Sequence, residues 1–329
     1  MITERLKIAQ IGTKHAHAKG KYETICKLSD AYDVIGVVEP DNEQQEKISG
    51  SAAYADARWI TEEEVFNTEG LKVVTVETDM DELVPTAIRC LEAGLHIHLD
   101  KPAGSSMSEC RRMHAIADAA GLTIQMGYMF RYNAAFQFLY KALDAGWIGA
   151  IMEVNAMIGK LVAEDMRPEL NRWKGGGMYE LAGHLVDQVV TVMGAPEAVT
   201  NYHFASRPDG DGLNDNQTSV FSYPSAVAIL RSNHIDPHKR RMFEVIGENG
   251  AVVIDPLEPP AVRVSFVDPP EGFDKGWQPV ELRPPTGRYD GDLYDLAKIV
   301  RGESKLAWDS AHDLAMHEAL LRAGGMVVD

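Results

Sequence analysis

The sequence contains only three cysteines among 329 residues, and they lie far apart in the chain. Cys26, Cys90 and Cys110 lack the short spacings of a zinc site, and their odd number does not suit a framework of disulfides. Scattered thiols of this kind are typical of reduced cysteines in a cytoplasm. We therefore expect a cytoplasmic protein whose fold depends on apolar packing rather than on cross-links.

Long apolar runs and clusters of basic residues are scarce as well. No apolar stretch reaches the length of about 20 residues that a membrane span needs. The opening residues 1–7 lack the cationic start and apolar segment of a secretory signal. Acidic residues outnumber basic ones by 49 to 32, which gives a formal net charge of −17. Such a surface repels nucleic acids and anionic lipids, so we expect neither as a partner.

The N-terminal part of the sequence has the order of elements found in nucleotide-binding domains. An apolar run at 7–12 closes on Gly12, an amphipathic segment spans about 15–28, and a β-branched run at 34–38 precedes Glu39. This order predicts a buried strand, a turn at a helix N-terminus that can hold a pyrophosphate, and a second strand. The carboxylate of Glu39 can accept a hydrogen bond from a ribose 2′-hydroxyl, which favours NAD over NADP.

The glycine signature of that turn is incomplete. The spacing that begins at Gly12 requires glycines at positions 14 and 17, where this sequence has Lys14 and His17. A side chain at position 14 stands where backbone should approach phosphate, and we expect the ammonium of Lys14 to compensate by contacting that phosphate. We predict that the cofactor is held by Gly12, Thr13, Lys14, His15, Glu39, Thr78, Asp100 and Lys101.

Strands and helices continue to alternate to about residue 126. The further strands that we predict are 71–76, 96–99 and 123–126, and the helices are 81–93 and 108–120. This alternation predicts an α/β fold with a doubly wound parallel sheet, and we place a first, dinucleotide-binding domain at 1–126.

A lysine stands at the end of one of these strands. Lys101 follows the apolar run 96–99 and precedes Pro102, which cannot continue the hydrogen bonds of a strand. Ligands of open α/β sheets bind at the carboxyl ends of the strands, so we expect Lys101 to face a ligand.

Asp100-Lys101-Pro102 resembles the Glu-Lys-Pro signature of the glucose–fructose oxidoreductase, inositol dehydrogenase and MocA (Gfo/Idh/MocA) family. Three further segments are similar to that family. Residues 127–133 resemble its segment after the last strand of the dinucleotide domain, 146–149 its entry into the second domain, and 175–187 its glycine-led helix with Asp-x-x-x-His. The resemblance covers essentially the whole chain. It implies a Rossmann-type first domain and, at 127–329, an α+β domain for substrate binding and oligomerisation, with a large, open, mainly antiparallel sheet.

The pattern of the sequence changes beyond residue 126. After a helix predicted at 134–145, strand-like runs follow without helices between them: 151–158, 198–204, 218–223, 227–233, 242–247, 252–254 and 262–267. Such runs predict an antiparallel or mixed sheet, and Asn249-Gly250 is expected to supply the positive φ angles of a hairpin turn. Helices return at 291–325. By analogy with the family, we expect the sheet to join copies of the chain into a homodimer or homotetramer.

Glu180 and His184 are the candidates for proton transfer in the second domain. Residues four apart on a helix share a face, so the carboxylate of Glu180 can orient the imidazole of His184. An imidazole with an ordinary pKa of about 6.5 can take a proton from an alcohol near neutral pH. Arg131, Trp173 and Lys174 are predicted to contact the substrate, the indole through a sugar ring and the cations through oxygens.

Two other clusters have the composition of metal sites. The acidic stretch 209–215 departs from a calcium-binding loop at three positions, and we interpret it as a polar connection between strands. Six residues could in principle form a metal site, namely His15, His17, His234, His238, Glu180 and His184. Scattered histidines are more often solvated or hydrogen-bonded, so we predict no metal.

These features together predict an enzyme that moves a hydride between NAD(P) and a secondary alcohol of a sugar, a cyclitol or a related polyol. Lys101 would hydrogen-bond the reacting oxygen, and His184, oriented by Glu180, would take the hydroxyl proton. Two other functions are open at this stage. One is an internal-redox lyase or hydrolase, in which the nicotinamide oxidises and re-reduces the sugar and a metal can take part. The other is a non-catalytic sensor of cofactor or sugar.

Overall fold

The computed structural model describes residues 4–207, 210–284 and 286–329. The chain forms two compact units. The first is Met1–Met129, Thr286–Leu314 and Asp329, and the second is Phe130–Pro285 and Ala315–Val328, in each case for the residues described. No helix in the described ranges combines the length and the apolar character that are needed to cross a bilayer.

The first unit is built on a parallel sheet of five strands. These are Leu6–Ile11 (β1), Tyr32–Val38 (β2), Leu71–Val76 (β3), His96–Leu99 (β4) and Ile124–Met126 (β5). The strands lie in the order β2-β1-β3-β4-β5, and every neighbouring pair is parallel. The apolar side chains of β1, β3 and β4 are buried, as expected for a parallel sheet that is covered on both faces. The predicted α/β fold with a doubly wound parallel sheet is confirmed.

The helices that join these strands are Ala18–Lys27 (α1), Asn42–Ser49 (α2), Glu62–Asn67 (α3), Leu83–Glu92 (α4) and Met107–Ala120 (α5). The sequence analysis did not predict α2 or α3. Both depend on caps more than on an apolar face: Asp41 accepts from two amides at the start of α2, and Thr61 forms a capping box with Glu64 in α3. Short polar helices of this kind leave little periodic signal in a sequence.

The second unit contains a mixed sheet of eight strands. They are Ile151–Gly159 (β6), Ala198–Phe204 (β7), Asn216–Ser222 (β8), Val227–Asn233 (β9), Arg241–Gly247 (β10), Gly250–Leu257 (β11), Pro260–Phe266 (β12) and Gln278–Val280 (β13). Their order is β13-β12-β11-β10-β6-β9-β8-β7. Among the pairs described, β6 and β9 are parallel and the others are antiparallel. The large, mainly antiparallel sheet that the family resemblance implies is therefore confirmed.

The remaining helices are Ala134–Asp144 (α6), Arg167–Asn171 (α7), Gly176–Glu180 (α8), Gly183–Met193 (α9), Asp290–Val300 (α10) and Ser310–Ala323 (α11). Although α10 lies late in the sequence, it belongs to the first unit. Its residues Leu293 and Leu296 are buried, and the hydroxyl of Tyr32 donates to the carbonyl oxygen of Leu293 at 2.5 Å. The predicted second domain, 127–329, thus includes a segment, 286–314, that the structure groups with the first sheet.

The turn between β10 and β11 differs from the expected hairpin geometry. Neither Asn249 nor Gly250 has a positive φ angle, so that expectation was wrong. The side chain of Asn249 holds the turn instead: its amide donates to the carbonyl oxygens of Trp147 and Asp268 at 2.8 and 2.9 Å. Side-chain hydrogen bonds to flanking backbone therefore replace the local turn geometry that the Asn-Gly pair suggests.

Candidate active site

Acidic residues follow three strands of the parallel sheet. Glu39 comes directly after β2, Glu77 after β3 and Asp100 after β4. Parallel strands end at the same edge of a sheet, so the three carboxyl groups lie at one edge. All three side chains are buried, and Glu77 and Asp100 have no exposed surface. Lys101 follows Asp100 at this edge, where open α/β sheets bind their ligands.

Gly12 directly follows β1, and its backbone passes close to the segment that follows β3. These two strands flank the point at which the strand order of the sheet reverses. Its φ angle is +90°, and a Cβ atom there would lie 2.5 Å from the backbone nitrogen of Thr78. Only glycine combines that angle with that contact. A cavity of about 120 Å³ at this point is lined by several of the residues predicted to hold the cofactor, among them Gly12, Lys14, Glu39 and Thr78.

Glu39 is held by the loop that follows Gly12. Its Oε2 accepts hydrogen bonds from the backbone nitrogen and the hydroxyl of Thr13, at 3.0 and 2.5 Å, and its Oε1 accepts from the amide of Asp41 at 3.1 Å. Lys14 forms an ion pair with Asp41, with 2.7 Å between Nζ and Oδ2. The structure therefore brings Gly12, Thr13, Lys14 and Glu39 close together, and it gives Lys14 a carboxylate partner within the protein. Their role toward a cofactor stays a prediction.

His15 and His17 turn their imidazoles toward the buried acids. His15 Nδ1 lies 3.2 Å from Asp100 Oδ2 and 3.7 Å from Glu77 Oε2. His17 Nδ1 lies 3.1 Å from both carboxylate oxygens of Asp100. His15 Nε2 lies 3.1 Å from the carbonyl oxygen of Lys101, which can only accept, so this nitrogen carries the proton of the neutral ring. Two imidazoles and two carboxyl groups thus form one cluster at the sheet edge.

Burial and mutual charge shift the pKa values in this cluster. Burial, reinforced by the charge of Asp100, raises the pKa of Glu77 well above its usual value. Burial also opposes the charged form of Asp100, but His15, His17 and Lys21 outweigh it and hold the pKa of Asp100 well below its usual value. Burial lowers the pKa of His17 to about 4, against the opposing effect of Asp100. The cluster therefore favours the charged form of Asp100, the protonated form of Glu77 and the neutral form of His17.

A buried lysine lies behind these groups. Lys21 Nζ is 2.9 Å from His98 Nε2 and 3.5 Å from Asp292 Oδ2, and His98 Nε2 is 3.0 Å from the same Asp292 oxygen. Burial acts to lower the pKa of Lys21, but the carboxylates of Asp292 and Asp100 outweigh it and raise that pKa. The ammonium also lies 4.7 Å from the centre of the Tyr289 ring. Lys21 is therefore a fixed internal cation that neutralises Asp292.

Lys101 is buried within this arrangement. Its backbone amide donates to Asp100 Oδ1 at 2.7 Å, and its carbonyl oxygen meets His15 Nε2. The backbone groups on either side of its side chain are thus tied to the cluster. A lysine whose backbone is fixed by two hydrogen bonds can present its ammonium reproducibly to a bound molecule.

In the second unit, Glu180 and His184 do not share one helix. Helix α8 ends at Glu180 and α9 begins at Gly183, so the prediction of a continuous helical face was wrong here. The glycines that start α8 and the bend at residues 181–182 interrupt the helix. His184 is buried against Phe130, with 5.2 Å between the ring centres.

Glu180 instead meets two residues that follow the parallel pair of strands. Lys160 comes after β6 and His234 after β9, and these strands run side by side in register to Gly159 and Asn233. Lys160 Nζ lies 3.1 and 3.2 Å from the two oxygens of Glu180, and His234 Nε2 lies 3.5 Å from Oε2. The sequence analysis named His234 only as a scattered metal-like histidine, and it did not name Lys160.

The predicted substrate contacts have different surroundings. Arg131 is buried and forms a bidentate ion pair with Asp187. Its Nε and Nη2 atoms donate to Oδ1 of Asp187 at 3.0 and 2.6 Å. Trp173 is buried too, with the Arg172 guanidinium 5.3 Å from its ring, while Lys174 is exposed. The guanidinium of Arg131 is thus bound to a carboxylate of its own unit. The roles of all three residues toward a substrate stay predictions.

The acidic connection between β7 and β8 is organised by an arginine. Asp209 lies outside the described residues, but Asp211 and Asp215 both accept from the guanidinium of Arg167. Arg167 therefore balances the acids of this connection. In the later connection between β9 and β10, Asp236 accepts from Arg240 at 2.7 Å, close in sequence to the exposed His238.

The residues that the sequence analysis missed at the first edge share a simple signal. Glu77 follows an apolar strand just as Glu39 and Asp100 do, and an acid after each of three strands could have marked the edge. Lys21, His98 and Asp292 leave no such signal. Their grouping depends on α10 returning to the first unit from the far end of the sequence.

This fold and this edge define an α/β protein of the dinucleotide-binding class. Two family models make the assignment specific: residues 6–128 match "Oxidoreductase family, NAD-binding Rossmann fold", and residues 136–253 match "GFO/IDH/MocA C-terminal domain". The chain belongs to the Gfo/Idh/MocA oxidoreductase family, and the resemblance that the sequence motifs indicate is confirmed.

Individual relatives are distant. An uncharacterized oxidoreductase of Escherichia coli, YdgJ, is 28% identical over 61% of this chain and 58% of its own length. The scyllo-inositol 2-dehydrogenase (NADP(+)) IolW of Bacillus subtilis is 24% identical over 61% of this chain and 56% of its own. The matched region thus spans little more than half of these relatives. The aldose-aldose oxidoreductase of Caulobacter crescentus has the same fold, with a TM-score of 0.82, 20% identity and 98% of both chains covered.

Proposed function

We propose that this protein is an NAD(P)-dependent oxidoreductase that transfers a hydride between the nicotinamide and a secondary alcohol of a sugar, a cyclitol or a related polyol. The observation that carries the proposal is Lys101, buried and fixed through its backbone at the carboxyl end of β4. Membership of an oxidoreductase family supports the reaction class. The names of two similar proteins, an inositol dehydrogenase and an aldose-aldose oxidoreductase, support the substrate class.

The residues at this edge fit a dinucleotide. A Cβ at Gly12 would close the crossing between β1 and β3, and the cavity beside it is lined by backbone and by Glu39. A second cavity of about 380 Å³ shares Glu39 and Pro40 with the first and includes Trp59. Concave sites with a few polar groups among apolar ones are typical of cofactor pockets. The nicotinamide, when bound, supplies the hydride chemistry.

The roles of the chain's own residues are proposed one by one. Lys101 donates a hydrogen bond to the reacting oxygen and stabilises the negative charge that develops on it. His184 accepts the proton of the hydroxyl group, as the family resemblance implies. Glu180 hydrogen-bonds a substrate hydroxyl while Lys160 holds its carboxylate, since the structure pairs these two side chains.

We further propose that NAD binds more tightly than NADP. The amides of Thr13 and Asp41 hold the carboxylate of Glu39 in place, so a 2′-phosphate near it meets a fixed like charge. Calorimetry should give an affinity about 10-fold or more higher for NAD, and Glu39→Gln should narrow that ratio. Equal affinities in the unaltered protein would overturn this preference.

A substrate screen tests the reaction itself. The protein is incubated with NAD and a panel of sugars, cyclitols and glycosides, while NADH absorbance and product mass are followed together. One NADH for each ketone formed supports the dehydrogenase. Cleavage of a glycoside without lasting NADH would replace it with the internal-redox alternative, and binding without turnover would favour a sensor.

Assembly and cellular location are further proposals. A homodimer or homotetramer formed through the second unit's sheet, and a cytoplasmic location, follow from the family analogy and the free thiols. Light scattering on the purified protein tests the assembly, and a single mass equal to the monomer would exclude it.

A further inference from the structure

We propose that His15, His17, Asp100 and Glu77 form a binding site for a single zinc ion at the edge of the parallel sheet. The evidence for this site does not rest on the hydride-transfer reaction, although His15 and Asp100 are also among the residues predicted to hold the cofactor. The proposal contradicts the expectation that no metal binds. Three of the four residues bring one ligand atom each within 4.8 Å of one another. Two imidazole nitrogens and two carboxylate oxygens are a donor set that zinc accepts.

The distances between the donor atoms suit a small tetrahedral ion. Ligands at about 2.0–2.1 Å from a tetrahedral zinc lie about 3.3 Å from one another. The observed separations are 3.1 Å from His17 Nδ1 to Asp100, 3.2 Å from His15 Nδ1 to Asp100, and 3.7 Å from His15 Nδ1 to Glu77. Each of these three separations is within a few tenths of an ångström of that spacing.

The Nδ1 atom of His15 is the ring nitrogen nearer to the two acids. Its Nε2 meets the carbonyl oxygen of Lys101, and its Nδ1 accepts a hydrogen bond from the amide of His17 at 3.3 Å. Metal-binding histidines commonly donate their second nitrogen to a backbone carbonyl in this way. A bound ion would take this Nδ1 lone pair in place of the long contact with the His17 amide.

Glu77 supplies the second, independent observation. Its side chain is fully buried, and neither carboxyl oxygen receives a hydrogen bond from a donor in the described parts of the chain. Buried carboxyl groups without donors are rare in folded proteins. A proton shared with Asp100 or a bound ion would each satisfy Glu77, and the metal titration below separates the two. The buried ammonium of Lys21 makes its contacts with His98 and Asp292 rather than with Glu77.

The site would act on the neighbouring lysine. His15 holds the carbonyl oxygen of Lys101 and Asp100 holds its amide, so both backbone anchors of Lys101 belong to ligands of the ion. A bound zinc ion would fix these two side chains and thereby the start of the segment that follows β4.

Metal analysis of the nucleotide-free protein tests the proposal. The protein is dialysed against chelator, then titrated with Zn²⁺ by calorimetry, and the bound metal is measured by plasma mass spectrometry. We expect one zinc per chain. His15→Ala and His17→Ala should each lower the affinity at least about 100-fold, since each removes a ligand. Co²⁺ in place of Zn²⁺ should give the intense visible absorption of a tetrahedral site.

His238→Ala is the matched control, because His238 is an exposed histidine in the other metal-like sequence cluster. It should leave zinc binding unchanged. His17→Gln is a second variant at a partly exposed side chain, which removes the imidazole with little change in size. Circular dichroism checks that each variant is folded. The proposal is overturned if the unaltered protein binds no zinc, or if the variants at positions 15 and 17 bind zinc as tightly as the His238→Ala control.

Discussion

The two units both place charged side chains at the carboxyl ends of parallel strands, but they balance those charges in opposite ways. The first unit has Glu77 and Asp100 at its edge, side by side and fully buried. The second unit has Lys160 and His234 at the ends of β6 and β9, and both face the single acid Glu180. One edge is therefore rich in acid and the other is rich in base.

This difference indicates which edge needs an outside partner. Two buried carboxyl groups cannot both be charged without a compensating cation, so the first edge keeps one of them protonated or binds a positive group. In the second unit the acids have partners of their own, such as the bidentate pair of Arg131 with Asp187. We infer that the buried pair of Arg131 and Asp187 is structural, whereas the buried acids Glu77 and Asp100 are ligand-related.

The largest effect is expected for the matched pair of the second unit. Arg131→Ala leaves Asp187 buried without its guanidinium, which should lower the free energy of unfolding by about 3–5 kcal/mol. Arg172→Ala, which removes an exposed ion pair with Glu169, should lower it by no more than about 1 kcal/mol. Denaturant unfolding of the three proteins measures both values. A loss below about 1 kcal/mol for Arg131→Ala would show that this pair does not stabilise the unit.

The next effect concerns catalysis at the first edge. Lys101→Ala should lower kcat by on the order of 10²-fold or more on a verified substrate, because it removes the group that stabilises the reacting oxygen. Lys72→Ala, at an exposed lysine of β3, is the control and should keep full activity. His184→Ala should show a loss of similar size with cofactor binding retained. Full activity in either Lys101→Ala or His184→Ala would remove that residue from the mechanism.

The sequence allows much of the first edge to be predicted, and less of the second. An apolar strand followed by an acid or a lysine is a local pattern, so the order of residues alone locates Glu39, Asp100 and Lys101. The pairing of Lys160 with Glu180 depends on β6 and β9 lying side by side, although they are far apart in the sequence. The break between α8 and α9 is also hard to predict, since the spacing of residues 180–184 is equally compatible with a continuous helix.

A third effect separates two kinds of glycine in the first unit. Gly12→Ala combines a positive φ angle with a contact to the Thr78 backbone, whereas Gly94, with φ of +81°, has open space around it. Gly12→Ala should therefore lower the free energy of unfolding by more than about 2 kcal/mol and weaken NAD binding. Gly94→Ala should lose about 1 kcal/mol from the backbone angle alone and bind NAD normally. Thermal unfolding measures the stability of both variants, and calorimetry measures their affinity for NAD. Equal losses of stability in the two variants would mean that the backbone around Gly12 and Thr78 can relax to accept a side chain.

The smallest effect tests the exposed ion pair of Lys14 and Asp41. Each side chain is about 40% exposed, so the pair exchanges with solvent and Lys14 can leave Asp41 for a phosphate. Lys14→Ala should weaken NAD binding about two- to fivefold at low salt, and less at high salt, because screening weakens an exposed charge contact. Asp41→Asn should have the opposite effect. It keeps the cap of α2, since an Asn oxygen also accepts from the amides of Glu43 and Gln44, but it frees Lys14 from its carboxylate. If Asp41→Asn weakened NAD binding as Lys14→Ala does, Lys14 would serve the loop's structure and the phosphate contact would be excluded.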